Sequence, residues 1–103
     1  ATIRYFTAYQ SDISRRGLAW DKPEKEKDRI PARDPYPCRS ASPATFGHTG
    51  YTGTCIWVDP AYGLVYIFLS NRVCPDGGEN RKLNTLNIRS RIQETMYEAM
   101  GIK

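Results

Sequence analysis

An α+β fold is predicted by two apolar runs that follow each other closely and by an amphipathic segment near the C-terminal end of the 103-residue sequence. The runs are YTGTCIWV (51–58) and LVYIFLSNR (64–72), which are rich in β-branched and aromatic residues. Only the turn sequence DPAYG separates them, so an antiparallel hairpin is expected. Residues 83–100 carry apolar residues at helical spacing, namely Ile88, Ile92, Met96 and Ala99.

Two further elements complete the predicted architecture. The first ten residues place Ile3, Phe6 and Tyr9 at helical spacing, as in the last turns of a helix. GLAWD (17–21) suits a short strand, which brings the predicted sheet to about three strands. The run LVYIFL is almost continuously apolar, so we expect this strand to be central and covered on both faces.

The C-terminal helix has recognisable end signals. Asn84 is a candidate N-cap, and Gly101 is a candidate C-terminal cap that lets Ile102 fold back onto the helix. Large aromatic residues in the strands are expected in the core rather than at a ligand site: Trp20, Trp57, Tyr66 and Phe68.

Residues 21–43 form a long irregular connection. They contain five of the seven prolines and show no period, and proline removes backbone donors that helices and strands need. Loops of this length inside a compact domain are uncommon and tend to be functional or mobile.

Charge and hydropathy exclude two broad classes of protein. The net charge is +4, but the basic residues are dispersed and several alternate with acidic ones. A nucleic-acid-binding domain would concentrate them in a patch or stripe, so a solvated mixed-charge surface is expected instead. The sequence has no apolar run near the ~18 residues that a membrane span requires.

The three cysteines do not form a metal-binding pattern. Cys38, Cys55 and Cys74 lack the close spacing of a zinc site, so no metal and no cofactor are expected. Cys55 falls within an apolar run and is expected to be buried. A Cys38–Cys74 disulfide is an open pairing, and the odd number leaves at least one cysteine unpaired.

The stretch TFGHTGYTGT (45–54) is the strongest candidate for a functional site. It surrounds the single histidine, His48, with three glycines and four threonines and leads into the apolar run CIWV. A core strand has no need of so much glycine. A histidine, a hydroxyl group and bare backbone are thus brought together at the start of a predicted strand.

These residues carry a resemblance to a known family. GHTGYTGTCIWVDP, then LVYIFLSNRV, then the C-terminal helix resemble the C-terminal portion of the serine β-lactamase-like hydrolases. Most similar is the class C-like branch with its esterases and penicillin-binding-protein relatives. RRGLAWDKP also resembles the strand before the active-site strand of that family. The resemblance covers nearly the whole chain, best over 15–100, and implies that 1–103 is the C-terminal part of one such domain.

The resemblance implies roles for four residues. His48, Thr49 and Gly50 would be the family's third active-site motif, which contacts the substrate from the strand at the edge of the cleft. The backbone N–H of Tyr51 would form half of the oxyanion hole. Histidine stands where lysine is commoner, which favours an ester-like or otherwise unassigned substrate over a β-lactam or peptide.

Two other family motifs have no counterpart in this sequence. Every serine lacks a lysine three positions later, and no tyrosine is followed by asparagine two positions later, so neither Ser-x-x-Lys nor Tyr-x-Asn occurs. The chain by itself is therefore expected to be inactive and to need the upstream portion of the same domain.

The resemblance implies a small ester or amide substrate and a periplasmic or extracellular location. Alone, the segment is expected to form a homo-oligomer because apolar faces would be exposed.

Alternative interpretations remain at this stage. The chain could instead be a non-catalytic α+β binding module on the same scaffold. Asp59 and Asp76 lie in turn sequences, where an aspartate side chain commonly bonds to nearby backbone. Asn71 and Arg72 follow the second apolar run and are expected to have a structural hydrogen-bonding role rather than to contact substrate.

Overall fold

Three strands and three helices make up the described part of the chain, and the predicted α+β class is confirmed. The computed structural model describes residues 1–25 and 35–102. The elements follow in the order α1 (Thr2–Thr7), β1 (Phe46–Thr49), β2 (Cys55–Asp59), β3 (Leu64–Phe68), α2 (Lys82–Thr85) and α3 (Ile88–Ala99). Within the described residues of 21–43 the backbone is irregular apart from a single bridge at Asp21, and residues 26–34 lie outside the described residues.

The strands form one antiparallel sheet in the order β1-β2-β3. Gly47 lies opposite Trp57, and Trp57 lies opposite Tyr66. Because side chains alternate along a strand, this register defines two faces. The inner face carries Gly47, Thr49, Cys55, Trp57, Asp59, Leu64, Tyr66 and Phe68; the outer face carries Phe46, His48, Ile56, Val58, Val65 and Ile67.

The core lies on the inner face. Cys55, Trp57 and Tyr66 are buried there, and Met96 of α3 packs against them. Gly47 is required at its position, since an added Cβ would lie 2.0 Å from the carbonyl oxygen of Ile56 and 2.6 Å from the Trp57 ring. The predictions that Trp57 and Tyr66 belong to the core and that Cys55 is buried are therefore confirmed.

The predicted strand boundaries around the histidine motif are wrong. The predicted strand 51–58 begins only at Cys55, and a separate strand, β1, ends at Thr49. GLAWD is not a strand: Ala19 has a positive φ of 63°, which interrupts extended structure, and only Asp21 bridges to Gly47. The motif thus lies at the end of one strand and in the turn that follows, not at the start of the next.

The prediction that LVYIFL is a central strand is also wrong. β3 is an edge strand, and its outer face is open: Val65 and Ile67 are 55% and 57% exposed. Tyr66, on the inner face, is buried. An apolar run predicts a strand with two apolar faces. It does not predict whether other segments of the same chain cover both faces.

The C-terminal helical segment is divided in two. Asn87 adopts the left-handed conformation, with φ of 51°, and separates α2 from α3. Asn84 therefore lies inside α2 instead of capping the helix, and its side chain accepts a hydrogen bond from Arg89 at 3.0 Å. The buried face of α3 is formed by Gln93 and Tyr97, whereas Ile92 remains 40% exposed, so the predicted apolar stripe is shifted by one position.

The C-terminal end of α3 has the glycine cap that the sequence predicts. Gly101 has a φ of 76°, its N–H bonds to the carbonyl of Glu98, and the N–H of Ile102 bonds to the carbonyl of Tyr97. Glycine adopts this conformation without steric cost. Ile102 packs against the cluster of Cys38, Ala41 and Tyr97, which confirms that it folds back.

A buried carboxylate joins the sheet, the irregular connection and α3. Asp59, the last residue of β2, accepts hydrogen bonds from the Tyr97 hydroxyl at 2.6 Å and from the Ser42 N–H at 2.9 Å. Its other oxygen accepts from the Ser42 hydroxyl at 2.5 Å and from the Ala61 N–H at 3.1 Å, which is the turn role predicted for it. Burial opposes ionisation, but the hydrogen bonds from Ser42 and Tyr97 outweigh it and hold the pKa of Asp59 below its ordinary value.

All three cysteines are free thiols. Cys38 and Cys55 are buried and Cys74 is exposed, so the structure contains no Cys38–Cys74 disulfide. Within the described residues, none of the helices has both the length and the apolar character needed to cross a membrane.

Replacing the Tyr97 hydroxyl tests the role of Asp59. Tyr97→Phe is expected to lower the free energy of unfolding by about 2 kcal/mol, because a buried carboxylate loses one donor. Tyr62→Phe is the matched control, since Tyr62 packs edge-on against Tyr97 and is itself exposed. Urea unfolding of both variants measures the difference, and equal stability of the two would contradict the assigned role.

The depressed pKa of Asp59 also predicts an acid dependence. A carboxyl whose folded pKa is lowered stabilises the fold above its unfolded pKa of about 3.9, and this contribution is lost as the pH falls through the folded value. Burial raises the pKa of Glu94, but hydrogen bonds from Ser40 lower it, and the net shift is downward as for Asp59. The acid dependence of the wild type therefore cannot be assigned to Asp59 alone. Asp59→Asn should therefore lose less stability than the wild type when urea unfolding is repeated below about pH 4.

Candidate functional site

The four predicted site residues lie together at one end of the sheet. His48 and Thr49 are the last residues of β1, and Gly50 and Tyr51 begin the turn that leads to β2. His48 and Tyr51 are exposed, whereas Thr49 and Gly50 are half-buried. The motif is therefore at an accessible sheet end whose backbone continues directly from a paired strand.

Backbone hydrogen bonds fix the turn after β1. The Gly50 N–H bonds to the carbonyl of Thr54 at 2.8 Å, and the Gly53 N–H bonds to the carbonyl of Gly50 at 3.0 Å. A side chain at residue 50 has no space, because its Cβ would lie 2.3 Å from Oγ1 of Thr54. The glycine of the motif is thus explained by close approach across the turn.

Two consecutive backbone donors of this turn are unpaired. The N–H groups of Gly50 and Gly53 are paired, whereas those of Tyr51 and Thr52 have no acceptor in the part of the chain that the structure describes. Tyr51 as a residue is 74% exposed. A fixed and unpaired N–H is the type of group that stabilises a developing oxyanion.

The His48 side chain bonds to the backbone of its own strand. Its Nδ1 lies 2.7 Å from the carbonyl oxygen of Thr49. A carbonyl oxygen only accepts, so Nδ1 must carry the hydrogen, and in the neutral ring Nε2 is left with the lone pair. Nε2 is thus the ring nitrogen that does not contact the Thr49 carbonyl.

Alternation along β1 separates the two polar side chains of the motif. His48 pairs with Ile56 and lies on the outer face, whereas Thr49 pairs with Cys55 and lies on the inner face. The structure brings the residues together along the backbone, but it does not bring the imidazole and the hydroxyl to the same side. The outer and inner faces meet only at the main chain of Gly50 and Tyr51, where the strand ends.

Behind Thr49 lies a polar cluster that the sequence did not reveal. The Tyr36 hydroxyl lies beside the Thr49 side chain and donates to the carboxylate of Asp21 at 3.1 Å. The Arg15 guanidinium lies 4.5 Å from the centre of the Tyr36 ring and 3.4 Å from Asp21. Burial, together with the nearby Asp21 carboxylate, raises the pKa of Tyr36 to about 12, so its hydroxyl stays protonated at neutral pH.

This cluster holds β1 in place. The backbones of Asp21 and Gly47 exchange two hydrogen bonds, at 2.8 and 3.1 Å, and Tyr36 packs edge-on against Trp57 with ring centres 5.2 Å apart. Tyr36 was missed because it lies in the proline-rich connection, which has no period to analyse. The sequence signal was the apolar run ending at Asp21, which was interpreted as a strand.

The segment after β3 supports the turn from the other side. The Arg72 N–H donates to the carbonyl of Thr52 at 2.9 Å, and the Arg72 guanidinium lies 4.5 Å from the centre of the Tyr51 ring. The predicted hydrogen-bonding role of Arg72 in the structure is therefore confirmed for its backbone. Asp76 also behaves as predicted, because it accepts a bond from the Gly78 N–H at 3.0 Å.

A metal centre is not suggested by the side chains present. Within residues 1–25 and 35–102, no three side chains of His, Cys, Asp or Glu are grouped closely enough to hold a metal ion.

The turn geometry yields a stability prediction. Gly50→Ala is expected to destabilise the protein by about 1–3 kcal/mol, because the new methyl group collides with Oγ1 of Thr54. Adding Thr54→Ala removes the obstacle, so the double variant should regain most of the loss in a double-mutant cycle. Additive effects of the two substitutions, measured by thermal or urea unfolding, would contradict this account of the turn.

Comparison with known proteins identifies the family to which the sequence is similar. The family profile described as Beta-lactamase matches residues 6–88, which include the whole sheet and the turn after β1. Proteins described as "Putative D-alanyl-D-alanine carboxypeptidase" from Escherichia coli (strain K12) and Salmonella enteritidis PT4 are each 32% identical to the chain over 71 residues. The aligned region is 69% of this chain and 15% of each relative. No solved structure gives a significant match.

Proposed function

Because this chain belongs to the beta-lactamase family, we propose that it supplies one wall of the active site of a serine hydrolase. In this proposal the end of β1 faces a nucleophilic serine contributed by sequence outside residues 1–103. The observation that carries the proposal is the N–H of the exposed residue Tyr51, which lies in a hydrogen-bonded turn and has no acceptor among the described residues.

The proposed chemistry is acyl transfer. A serine attacks the carbonyl carbon of an ester or amide, and the carbonyl oxygen becomes a tetrahedral oxyanion. The Tyr51 N–H donates to that oxygen and stabilises the transition state, while a base outside residues 1–103 takes the serine proton. The intermediate then collapses, the alcohol or amine leaves with a proton, and water hydrolyses the acyl-enzyme. Gly50 allows the close approach of Thr54 that shapes the turn before this donor.

The motif side chains would act from the two sides of this backbone. On the outer face, Nε2 of His48 can form a hydrogen bond with the substrate. On the inner face, the Thr49 hydroxyl contacts the substrate, and Tyr36 lies beside it. The relatives described as D-alanyl-D-alanine carboxypeptidases suggest a peptide amide as one substrate, and the histidine in place of lysine favours an ester.

The 103-residue chain alone is expected to be inactive, because it contains no Ser-x-x-Lys sequence. Purified chain should hydrolyse p-nitrophenyl acetate no faster than buffer does, and a fluorophosphonate probe should label none of its serines, as judged by mass spectrometry. Serine-dependent turnover or a labelled serine would overturn the proposal that the nucleophilic serine lies outside residues 1–103. A relative carrying all three family motifs serves as the positive control.

The motif can be tested in the protein encoded by the complete reading frame. Thr49→Val should lower kcat/KM by about tenfold to a hundredfold, because the substrate loses a hydrogen bond in the transition state. Thr52→Val is the matched control, since Thr52 lies in the same turn and is exposed. Equal activity of the two variants, or a frame that encodes no Ser-x-x-Lys, would favour the alternative of a non-catalytic binding module.

We also propose that the isolated chain self-associates through the outer face. Ile56, Val65 and Ile67 are apolar and exposed there, and within residues 1–25 and 35–102 no strand pairs with the second edge of β3. Sedimentation at micromolar concentration should reveal a homodimer or larger assembly, and Val65→Lys with Ile67→Lys should yield a monomer. Ile13→Lys, at a fully exposed residue away from the sheet, is the control, and a monomeric wild type would refute the proposal.

The family relationship further supports a location outside the cytoplasm, in the periplasm or the extracellular space. Signal-sequence cleavage in cells expressing the complete reading frame would test this part of the proposal.

A further inference from the structure

The side chain of Arg89 connects helix α3 to the turn after β1. Its Nη1 donates a hydrogen bond to the carbonyl oxygen of Thr54 at 3.1 Å, and its Nη2 donates to Oδ1 of Asn84 in α2 at 3.0 Å. The main chain of Arg89 is held as well, because its carbonyl oxygen accepts a hydrogen bond from the Tyr66 hydroxyl at 3.0 Å. One planar guanidinium therefore joins α2 and α3 to the last residue of the turn.

The Thr54 carbonyl is the acceptor that closes this turn. It receives the Gly50 N–H at 2.8 Å in addition to the Arg89 guanidinium. A carbonyl oxygen has two lone pairs, so it can accept both donors at once. A charged donor forms a stronger hydrogen bond than a neutral amide does. The guanidinium is therefore the stronger of the two groups that hold the Thr54 oxygen, to which Gly50 is bonded.

The direction of the Tyr51 N–H depends on how Gly50 is held. The Gly50 carbonyl and the Tyr51 N–H belong to the same planar peptide group, so they can only turn together. This carbonyl accepts a hydrogen bond from the Gly53 N–H at 3.0 Å, while the Gly50 N–H is bonded to Thr54. Hydrogen bonds on both sides of Gly50 thus orient the Tyr51 N–H. The bond to the carbonyl also polarises the peptide group, which makes its N–H a better donor.

We propose that Arg89 is a positioning residue for acyl transfer, which orients the Tyr51 N–H by holding the Thr54 carbonyl. The inference rests on the proposed function, because it concerns the donor that stabilises the oxyanion there. Such a donor is effective only when it is oriented before the reaction begins. Arg89 acts through the main chain of the turn and does not contact the substrate.

The charge of Arg89 supports the same role. Arg89 is half-buried, and within residues 1–25 and 35–102 it forms no ion pair. Its positive charge is therefore not neutralised by a carboxylate of the described residues, and it favours negative charge that develops beside the turn. Arginine keeps this charge at every pH at which the protein is folded.

Amide hydrogen exchange in the 103-residue chain tests the link between Arg89 and the turn. Arg89→Met keeps most of the side-chain length but removes every donor. It is expected to raise the exchange rates of the Gly50 and Gly53 amides by about tenfold or more, because the turn opens more easily. Amides of the paired strands β2 and β3 should exchange as in the wild type. Unchanged exchange in the turn, or an equal increase in β2 and β3, would overturn the proposal.

Three further variants separate positioning from general stability. Arg89→Lys keeps the charge and one donor, so its exchange rates should lie between those of the wild type and Arg89→Met. Tyr66→Phe removes the hydrogen bond to the Arg89 main chain but leaves the guanidinium, so it should not raise exchange selectively in the turn. Arg91→Met removes the same charge from an exposed residue of α3 and should behave like the wild type. A selective increase in Tyr66→Phe as large as in Arg89→Met would refute the assignment to the guanidinium.

Kinetics of the protein encoded by the complete reading frame test the catalytic consequence. Arg89→Met should lower kcat for p-nitrophenyl acetate by about tenfold to a hundredfold and leave KM within about twofold, because acylation and deacylation both pass through an oxyanion. Titration with a fluorophosphonate counts the active sites, so that loss of folded protein does not enter kcat. Arg89→Lys should regain part of the activity, and Arg91→Met should retain it. An unchanged kcat in Arg89→Met, or an equal loss in Tyr66→Phe, would overturn the positioning role.

The two measurements distinguish failure of this inference from failure of the proposed function. An active wild type together with a fully active Arg89→Met would reject the positioning role and retain the proposed function. A complete wild-type protein without hydrolase activity would reject the proposed function and the catalytic role of Arg89 with it. Selective exchange in the turn of Arg89→Met would then still show that Arg89 orients the turn, and unselective exchange would reject that as well. Circular dichroism of each variant verifies that the fold is intact.

Discussion

The buried carboxylate of Asp59 is the interaction on which the rest of the structure depends. It ends β2, receives two donors from Ser42 in the connection that leads to β1, and receives the hydroxyl of Tyr97 from α3. A carboxylate out of contact with water is stable only when its oxygens are bonded, so all these segments must be in place together. The path of the chain into β1, and with it the position of His48, follows from this requirement.

The proposed site uses backbone more than side chains. Strand β1 is held by its pairing to β2 and by the contacts of Asp21 and Tyr36. The turn at its end therefore cannot easily move. Stabilising an oxyanion requires donors that are already oriented before the reaction, since reorganisation would raise the barrier. The Tyr51 N–H meets that condition because of the elements behind it, and not because of any property of the tyrosine side chain.

Parts of this structure could be predicted from sequence because their causes are local. The hairpin between β2 and β3, the cap at Gly101 and the burial of Trp57 depend on turn chemistry and on apolar side chains within a few residues. The buried face of α3 was mispredicted because Tyr97 is selected by a hydroxyl–carboxylate bond to a strand far away in sequence. The site motif was recognised from the resemblance, whereas Tyr36, in a stretch without a period, was not.

The most direct measurement is a crystal structure of the protein encoded by the complete reading frame, with a boronic acid bound as an analogue of the tetrahedral intermediate. The account predicts a boronate bonded to a serine outside residues 1–103, with one boronate oxygen about 3 Å from the Tyr51 nitrogen. A boronate oxygen directed away from this turn, with the Tyr51 N–H bonded to nothing, would contradict the assignment of β1 as a wall of the active site.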